Sequence, residues 1–392
     1  MNHPGAMPDD PKPEEPRVPI EDSLAVASSL GEANPAPPKA SPVQSDRPES
    51  ESRLRRILGR WVTIRDQPSE WEKLAAGLLC VVLVLLVWGF LTWGDPPESR
   101  IVSPSKFPSL GETLRSFPSL WFDRALARST VWSLSRVLGG FLLAAAFAVP
   151  LGVVAAAYPR VNAFFRPISI FGRNVPIAAM IPLTLMWFGL GETQKVMFIF
   201  LASVAFIFFD TANSVDAVSN RFLDTAYTLG ARVTAGWGAR RALWIGLIYA
   251  AILGAGSMAF RRIEEPQLTV SEIFKNPGPW VAAGVGFIGG FLVWFPIQAH
   301  QAVRKVLFPL ALPDIVNSLR LLFGLAFGYI MLAEVINSTL GLGSIINFSQ
   351  RRGPREHIYL ILIVISLVAF SIDRLVFWAQ KRWFPYREHA ES

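Results

Sequence analysis

Residues 74–94 read LAAGLLCVVLVLLVWGFLTWG, and no charged side chain interrupts them. A helix of that length, rising about 1.5 Å per residue, crosses the roughly 30 Å hydrocarbon layer of a bilayer. Inside lipid there is no water to satisfy backbone N–H and C=O groups, so a lone apolar segment that crosses must do so as a helix. The whole chain follows this lead. It is 52% hydrophobic and 17% charged, with a mean hydropathy of +0.37, which lies outside the range of soluble globular domains. The expectation is an all-α polytopic membrane protein.

Further apolar runs at about 137–157, 168–190, 194–215, 243–260, 279–298, 314–335 and 357–380 give a count of eight crossings. Pro176 and Pro182 interrupt the third run and read as helix kinks, which also open backbone groups towards a cavity. Residues 1–50 are rich in Pro, Glu, Asp, Ser and Ala. They offer too little apolar surface to offset the cost of ordering, and they lack the basic start and apolar core of a secretory signal. Arg53, Arg55, Arg56, Arg60 and Arg65 precede the first run and place the N-terminus in the cytoplasm under the positive-inside tendency. Four crossings then return Asp224 to Arg232 to that same face, as eight return Lys381, Arg382 and Arg387. Arg100, Lys106, Arg351 and Arg352 fall on the other side, so the charge asymmetry is modest.

The net charge of +7 does not point to nucleic acid, because the basic residues lie beside apolar runs and not in one soluble domain with interleaved aromatics. Cys80 is the single cysteine and forms no intrachain disulfide; it reads as a small buried hydrophobe. No Walker-type glycine loop, Gly-x-Ser-x-Gly elbow or HExxH pair occurs, and His3, His300, His357 and His389 are scattered without metal-ligand spacing. The chain therefore reads as a non-enzyme without its own nucleotide or metal site. Gly284, Gly286 and Gly289 match the spacing of a dinucleotide fingerprint, but that motif needs a βαβ unit. Gly286 and Gly290 instead read as small residues that let membrane helices touch. Arg136, Arg320 and Glu334 are charges inside apolar runs, where ionised groups are costly and often functional. Each also has a plain reading as a snorkelling or structurally paired side chain.

FLDTAYTLGARV at 222–233 is a short, polar helical pattern closed by Gly230. RNVPIAAMIPLTLMWFGLGE at 173–192, LDTAYTLGA at 223–231 and VLFPLALPDIVNSLRLLFGLAFGYIMLAEVINSTLGLG at 306–343, in that order, resemble the binding-protein-dependent ABC transporter permeases, and most of all their nitrate, sulfonate, taurine and bicarbonate branch. The resemblance implies a bacterial inner-membrane permease core of six spans that works as a homodimer. Two cytoplasmic ATPase subunits, which bind the ATP and Mg, and an external solute-binding protein complete the assembly it implies. In that family a Glu-Ala-Ala signature followed by a glycine forms a coupling helix that docks on the ATPase. Here Asp224, Thr225 and Ala226 occupy the signature, Gly230 the glycine and Ala231 the next position, with Pro309 and Pro313 supporting the element. Asp for Glu keeps the charge and shortens its reach, and Thr for Ala adds a hydroxyl. Pro176, Pro182, Glu334 and Asn337 are the candidates for the solute path.

Two apolar runs stand where the family passes directly from the glycine to the Leu-Pro element. The chain is thus read as a tail (1–70), a first core part (71–231), an inserted transmembrane hairpin (232–302), a second core part (303–383) and a C-terminal tail (384–392). An even number of added crossings keeps both core parts on their proper sides. Two readings of other classes stand beside this one. A secondary transporter would show two similar halves, and a non-transporting scaffold is motivated by the altered signature and the added runs.

Overall fold

The computed structural model describes residues 69–94, 100–104, 106–267, 269–336 and 338–385. Nearly all of the two expected tails, and Asn337, lie outside these residues. Among the described residues the chain is helical, without a strand, and seven helices are long and apolar enough to span a bilayer, or eight if one bent pair is a span.

In chain order the helices are α1 (Glu70–Leu91), α2 (Leu110–Arg115), α3 (Phe117–Phe122), α4 (Leu126–Ala157), α5 (Pro159–Asn174), α6 (Met180–Phe188), α7 (Glu192–Asp216) and α8 (Asn220–Thr228). There follow α9 (Ala235–Glu264), α10 (Val270–Lys275), α11 (Pro277–Ala299), α12 (Phe308–Ile336), α13 (Leu342–Arg352) and α14 (Glu356–Trp383). Cys80 is exposed on α1 and not buried as the sequence suggested.

The expected third crossing, 168–190, is not one helix. It is the pair α5 and α6 with a short 3-10 turn at Ile177–Ala179, bent by 88°. The break sits at Pro176, which lacks an N–H and pushes Val175 into extended backbone (φ −70°, ψ 128°). Pro182 does not kink the chain. It lies in the first turn of α6, where its missing N–H would have had no intrahelical acceptor.

Close helix contacts settle the direction of this pair. A methyl group added at Gly140 of α4 would lie 2.5 Å from the Val196 carbonyl of α7, and one at Gly152 would lie 2.8 Å from that of Phe208. Position rises along both helices together, so α4 and α7 are parallel. The chain between them must therefore return through the thickness of the layer, and the bent pair counts as a span. On α12, Phe323 meets Phe141 edge-on at 5.3 Å and Glu334 meets Arg136, so α12 runs antiparallel to α4.

Helices α9 and α11 form an antiparallel hairpin. Methyl groups at Gly246 and Gly286 would lie 2.9 Å from the Phe287 carbonyl and 2.7 Å from the Tyr249 carbonyl, which is the contact that small residues permit. Its two ends meet again at one point. Val233 bridges His300, Thr234 N–H donates to the Ala299 carbonyl at 2.8 Å, and Gln301 N–H donates to that of Arg232 at 3.3 Å. A five-residue π-helical turn, Val303–Leu307, then leads into α12.

The segment before α4 is tied by polar caps. Ser109 and Glu112 form a capping box on α2, and Arg100 pairs with Glu112 at 2.9 Å. The hydrogen bond from Arg100 and those from Ser109 lower the Glu112 carboxyl to about 2.

Candidate functional site

The spans present two opposite ends, and each carries a cluster built by different chemistry. The first end gathers the C-termini of α4, α7 and α11, the start of α12, and α8. Val153, Val154, Val215, Ile297, Leu307 and Ile315 form a buried cluster there, and Leu223 of α8 packs on it. No residue of α8 is itself buried. Asp224, Thr225, Tyr227 and Thr228 are exposed, while Leu223 and Ala226 face inward and are half-buried.

The end of α8 is set by its glycine. Gly230 adopts φ +84°, the left-handed region that a side chain enters only with strain. Gly230 N–H donates to the Tyr227 carbonyl at 2.9 Å and Ala231 N–H to the Ala226 carbonyl at 2.9 Å. This pair of reversed bonds is a Schellman motif, which closes the helix by satisfying carbonyls left over at its end. Ala226, Gly230 and Ala231 therefore have a structural task in common. The Thr225 hydroxyl donates back to the Arg221 carbonyl at 2.8 Å, which leaves Asp224 as the exposed acid of the element.

The continuation predicted for this element lies beside it, although two spans intervene in sequence. Leu307 and Ala311, on either side of Pro309, belong to the same buried cluster. Pro309 is exposed in the first turn of α12, and Pro313 is buried, its carbonyl accepting from Gln380 Nε2 at 3.0 Å.

The second end is closed by a buried ion network. Arg136 of α4, 3% exposed, donates to both carboxylate oxygens of Glu192 at the start of α7 (2.5 and 2.7 Å) and to Glu334 of α12 at 2.6 Å. A further bond reaches the Leu340 carbonyl at 2.7 Å. Lys195 pairs with Glu192 at 2.8 Å. Glu334 is 0% exposed and also accepts from the Ser133 hydroxyl (2.7 Å) and the Gly343 N–H (3.0 Å). Leu342 N–H donates to Ser133 Oγ at 2.9 Å, so the first N–H groups of α13 find their acceptors here and its positive end faces the carboxylate. Two cations and two anions balance. Methyl groups at Gly341 and Gly343 would come within 2.5 Å and 2.6 Å of Glu334, so these glycines make room for the buried acid.

The structure thus places Glu334 inside a saturated network and closed to solvent in the protomer, while Pro176 is exposed at the bend and Pro182 is exposed on α6. Sequence reasoning picked out Arg136 and Glu334 but did not pair them, and it missed Ser133, Glu192, Lys195, Gly341 and Gly343. The available signal was the charged Glu192 and Lys195, three apart at the boundary of an apolar run.

The family model described as the inner-membrane component of binding-protein-dependent transport systems matches residues 148–234. That segment runs from the last turns of α4 through the bent pair and α7 to α8 and its glycine turn. The taurine transport system permease protein of Escherichia coli is 23% identical over 337 residues, 85% of this chain and 94% of that protein. The bicarbonate transport system permease protein of Synechococcus elongatus is 23% identical over 262 residues, covering 67% and 70%. Among solved structures, the MetNI methionine ABC transporter in an inward-facing conformation aligns with a TM-score of 0.40 and 18% identity, over 66% of this chain and 96% of its own.

Proposed function

From the premise that the chain belongs to the inner-membrane components of binding-protein-dependent transport systems, we propose that it is the membrane subunit of an ATP-driven importer for a small anion. A separate cytoplasmic ATPase drives it through α8. The observation that carries this reading is the construction of α8, a short helix exposed on its outer side, seated on the ends of several spans and closed by its own Schellman turn. Such an element moves as a unit, and a push on it displaces the spans on which it sits. ATP binding and hydrolysis bias the two conformations only by the difference in their contacts with α8.

On this reading the end bearing α8, together with the N-terminus, is cytoplasmic. Arg221, Arg232, Arg240, Arg241, Arg304 and Lys305 lie on α8 and its neighbours, against Arg100, Lys106, Arg351 and Arg352 on the other side, a modest asymmetry in the positive-inside sense. The opposite end would receive a solute-binding protein. ATP and Mg belong to the partner ATPase. The cargo class, a sulfonate such as taurine, nitrate or bicarbonate, rests on the relatives' names and on the sequence resemblance.

A homodimer is favoured by the outer face of α12. Arg320 and Asp373 pair at 3.2 Å well within α12 and α14, yet 42% of the Asp373 side chain is exposed. A charge exposed to hydrocarbon at that depth is costly. Beside it, Gly324 and Gly328 have open space where a methyl group would stand, the small-residue spacing that suits a close-packed helix from a second copy. The hairpin α9–α11 is proposed as an insertion in this core, since the family match ends at residue 234 and α9 starts at Ala235.

Reconstitution tests the proposal. Vesicles holding this chain, its ATPase and its binding protein are expected to accumulate labelled sulfonate, nitrate or bicarbonate only when ATP is supplied on the α8 side. Uptake that persists without the ATPase would overturn the reading in favour of a secondary transporter.

A further inference from the structure

Pro150 lies inside α4, two turns from its C-terminal end. Lacking an N–H, it leaves the Ala146 carbonyl without the donor that residue 150 supplies in an uninterrupted helix. Within a bilayer no water reaches such a group, and leaving it unpaired is costly. The missing donor comes from the hairpin: the Tyr249 hydroxyl of α9 donates to the Ala146 carbonyl.

The tyrosine is placed there by its neighbours. Trp294 of α11 donates its Nε1–H to the Tyr249 hydroxyl at 3.0 Å. An indole N–H only donates, so the hydroxyl accepts from Trp294 and its own hydrogen is left for Ala146. The Tyr249 ring rests on Gly290, where a methyl group would lie 2.9 Å from Cγ, and meets Phe147 of α4 edge-on at 5.3 Å. Gly289 admits Phe147, whose Cε1 would be 3.1 Å from a methyl group there.

We infer that the hairpin is latched onto the proline break of α4, and that Tyr249 is a positioning residue which supplies the hydrogen bond Pro150 withholds. Seating of the hairpin and closure of α4 at Pro150 are then one coupled equilibrium. The part of α4 beyond the break carries Val153 and Val154, members of the cluster on which Leu223 of α8 packs. The hairpin therefore holds the platform of α8 through the backbone of α4 as well as through Ile297 of α11, itself a member of that cluster. This inference stands on the helical packing alone and is independent of the cargo.

A double-mutant cycle on the full chain in lipid nanodiscs tests it, read by amide hydrogen exchange over residues 147–157 and 235–299. Tyr249→Phe keeps the ring and removes only the hydroxyl. It is expected to speed exchange in both segments together by about 10-fold, the effect of leaving a buried acceptor unpaired. Pro150→Ala restores the helical donor to Ala146, so in that background Tyr249→Phe strands only the Trp294 Nε1–H, and its effect is expected to fall to about 3-fold or less. If Tyr249→Phe alone cannot be purified folded, recovery of folding in the Pro150→Ala background is the expected result. An equal effect of Tyr249→Phe in both backgrounds, or no effect where Pro150 is present, would overturn the inference.

Discussion

At one end of α4 the guanidinium of Arg136 is held by Glu192 and Glu334 inside a network that also occupies Ser133, Lys195 and the first N–H groups of α13. At the other end, Val153 and Val154 lie in the platform under a helix, α8, none of whose residues is buried. The same bundle thus has one end whose central ion network is matched and enclosed, and another whose short helix leaves its polar side chains facing out. Enclosing ions costs desolvation that only well-matched partners offset, so the first end gains a fixed geometry more than it gains stability. At the second end the buried cluster lies beneath α8, whose outer side has little contact with the rest of the chain. A lever needs both, one end that holds several helices together and one that can be pushed.

The largest effect expected from breaking this contrast is at the closed end. Arg136→Gln leaves Glu334 without a cation in a dry site, while Glu192 keeps Lys195, and should destabilise the protein by about 3 kcal/mol, seen as a lowered midpoint in thermal unfolding in detergent. A loss under about 1 kcal/mol would mean that water already reaches the network. A smaller effect is expected at the exposed end from Gly230→Ala. Its methyl group meets open space, so only the strain of φ +84° counts. About 1 kcal/mol of local stability should go, visible as faster hydrogen exchange in α8 with little change in the global midpoint.

The contrast was unevenly legible in the sequence. The spans could be read because uninterrupted apolar runs have one solution in lipid, and α8 because a polar helical stretch ending in glycine interrupts them. The helix α5 was not read at full length, since Arg160 and Arg166 break the apolar pattern of its first half and only its last residues joined the run at 168–190. The Pro176 bend was visible as a proline, but its 88° angle depends on how α5 and α6 pack. The ion network escaped because its members stand far apart in sequence: Arg136 meets Glu334 across 198 positions and Glu192 across 56. A charge in an apolar run announces that a partner is needed and does not say which. Likewise Tyr249 reads as one more aromatic residue in a span until Pro150 is seen opposite it.

The claim that the two ends divide holding from coupling is tested most directly at Asp224. Asp224→Lys reverses the exposed charge of α8 without disturbing a buried group, so thermal stability should stay within about 0.5 kcal/mol of the unsubstituted protein. In vesicles with the ATPase and binding protein, ATP-driven uptake should fall by at least about 10-fold, the scale of one lost charge-assisted contact at a docking surface. Uptake that stays at the unsubstituted rate while the ATPase remains bound would contradict the account, because α8 would then not be the element through which the motor acts.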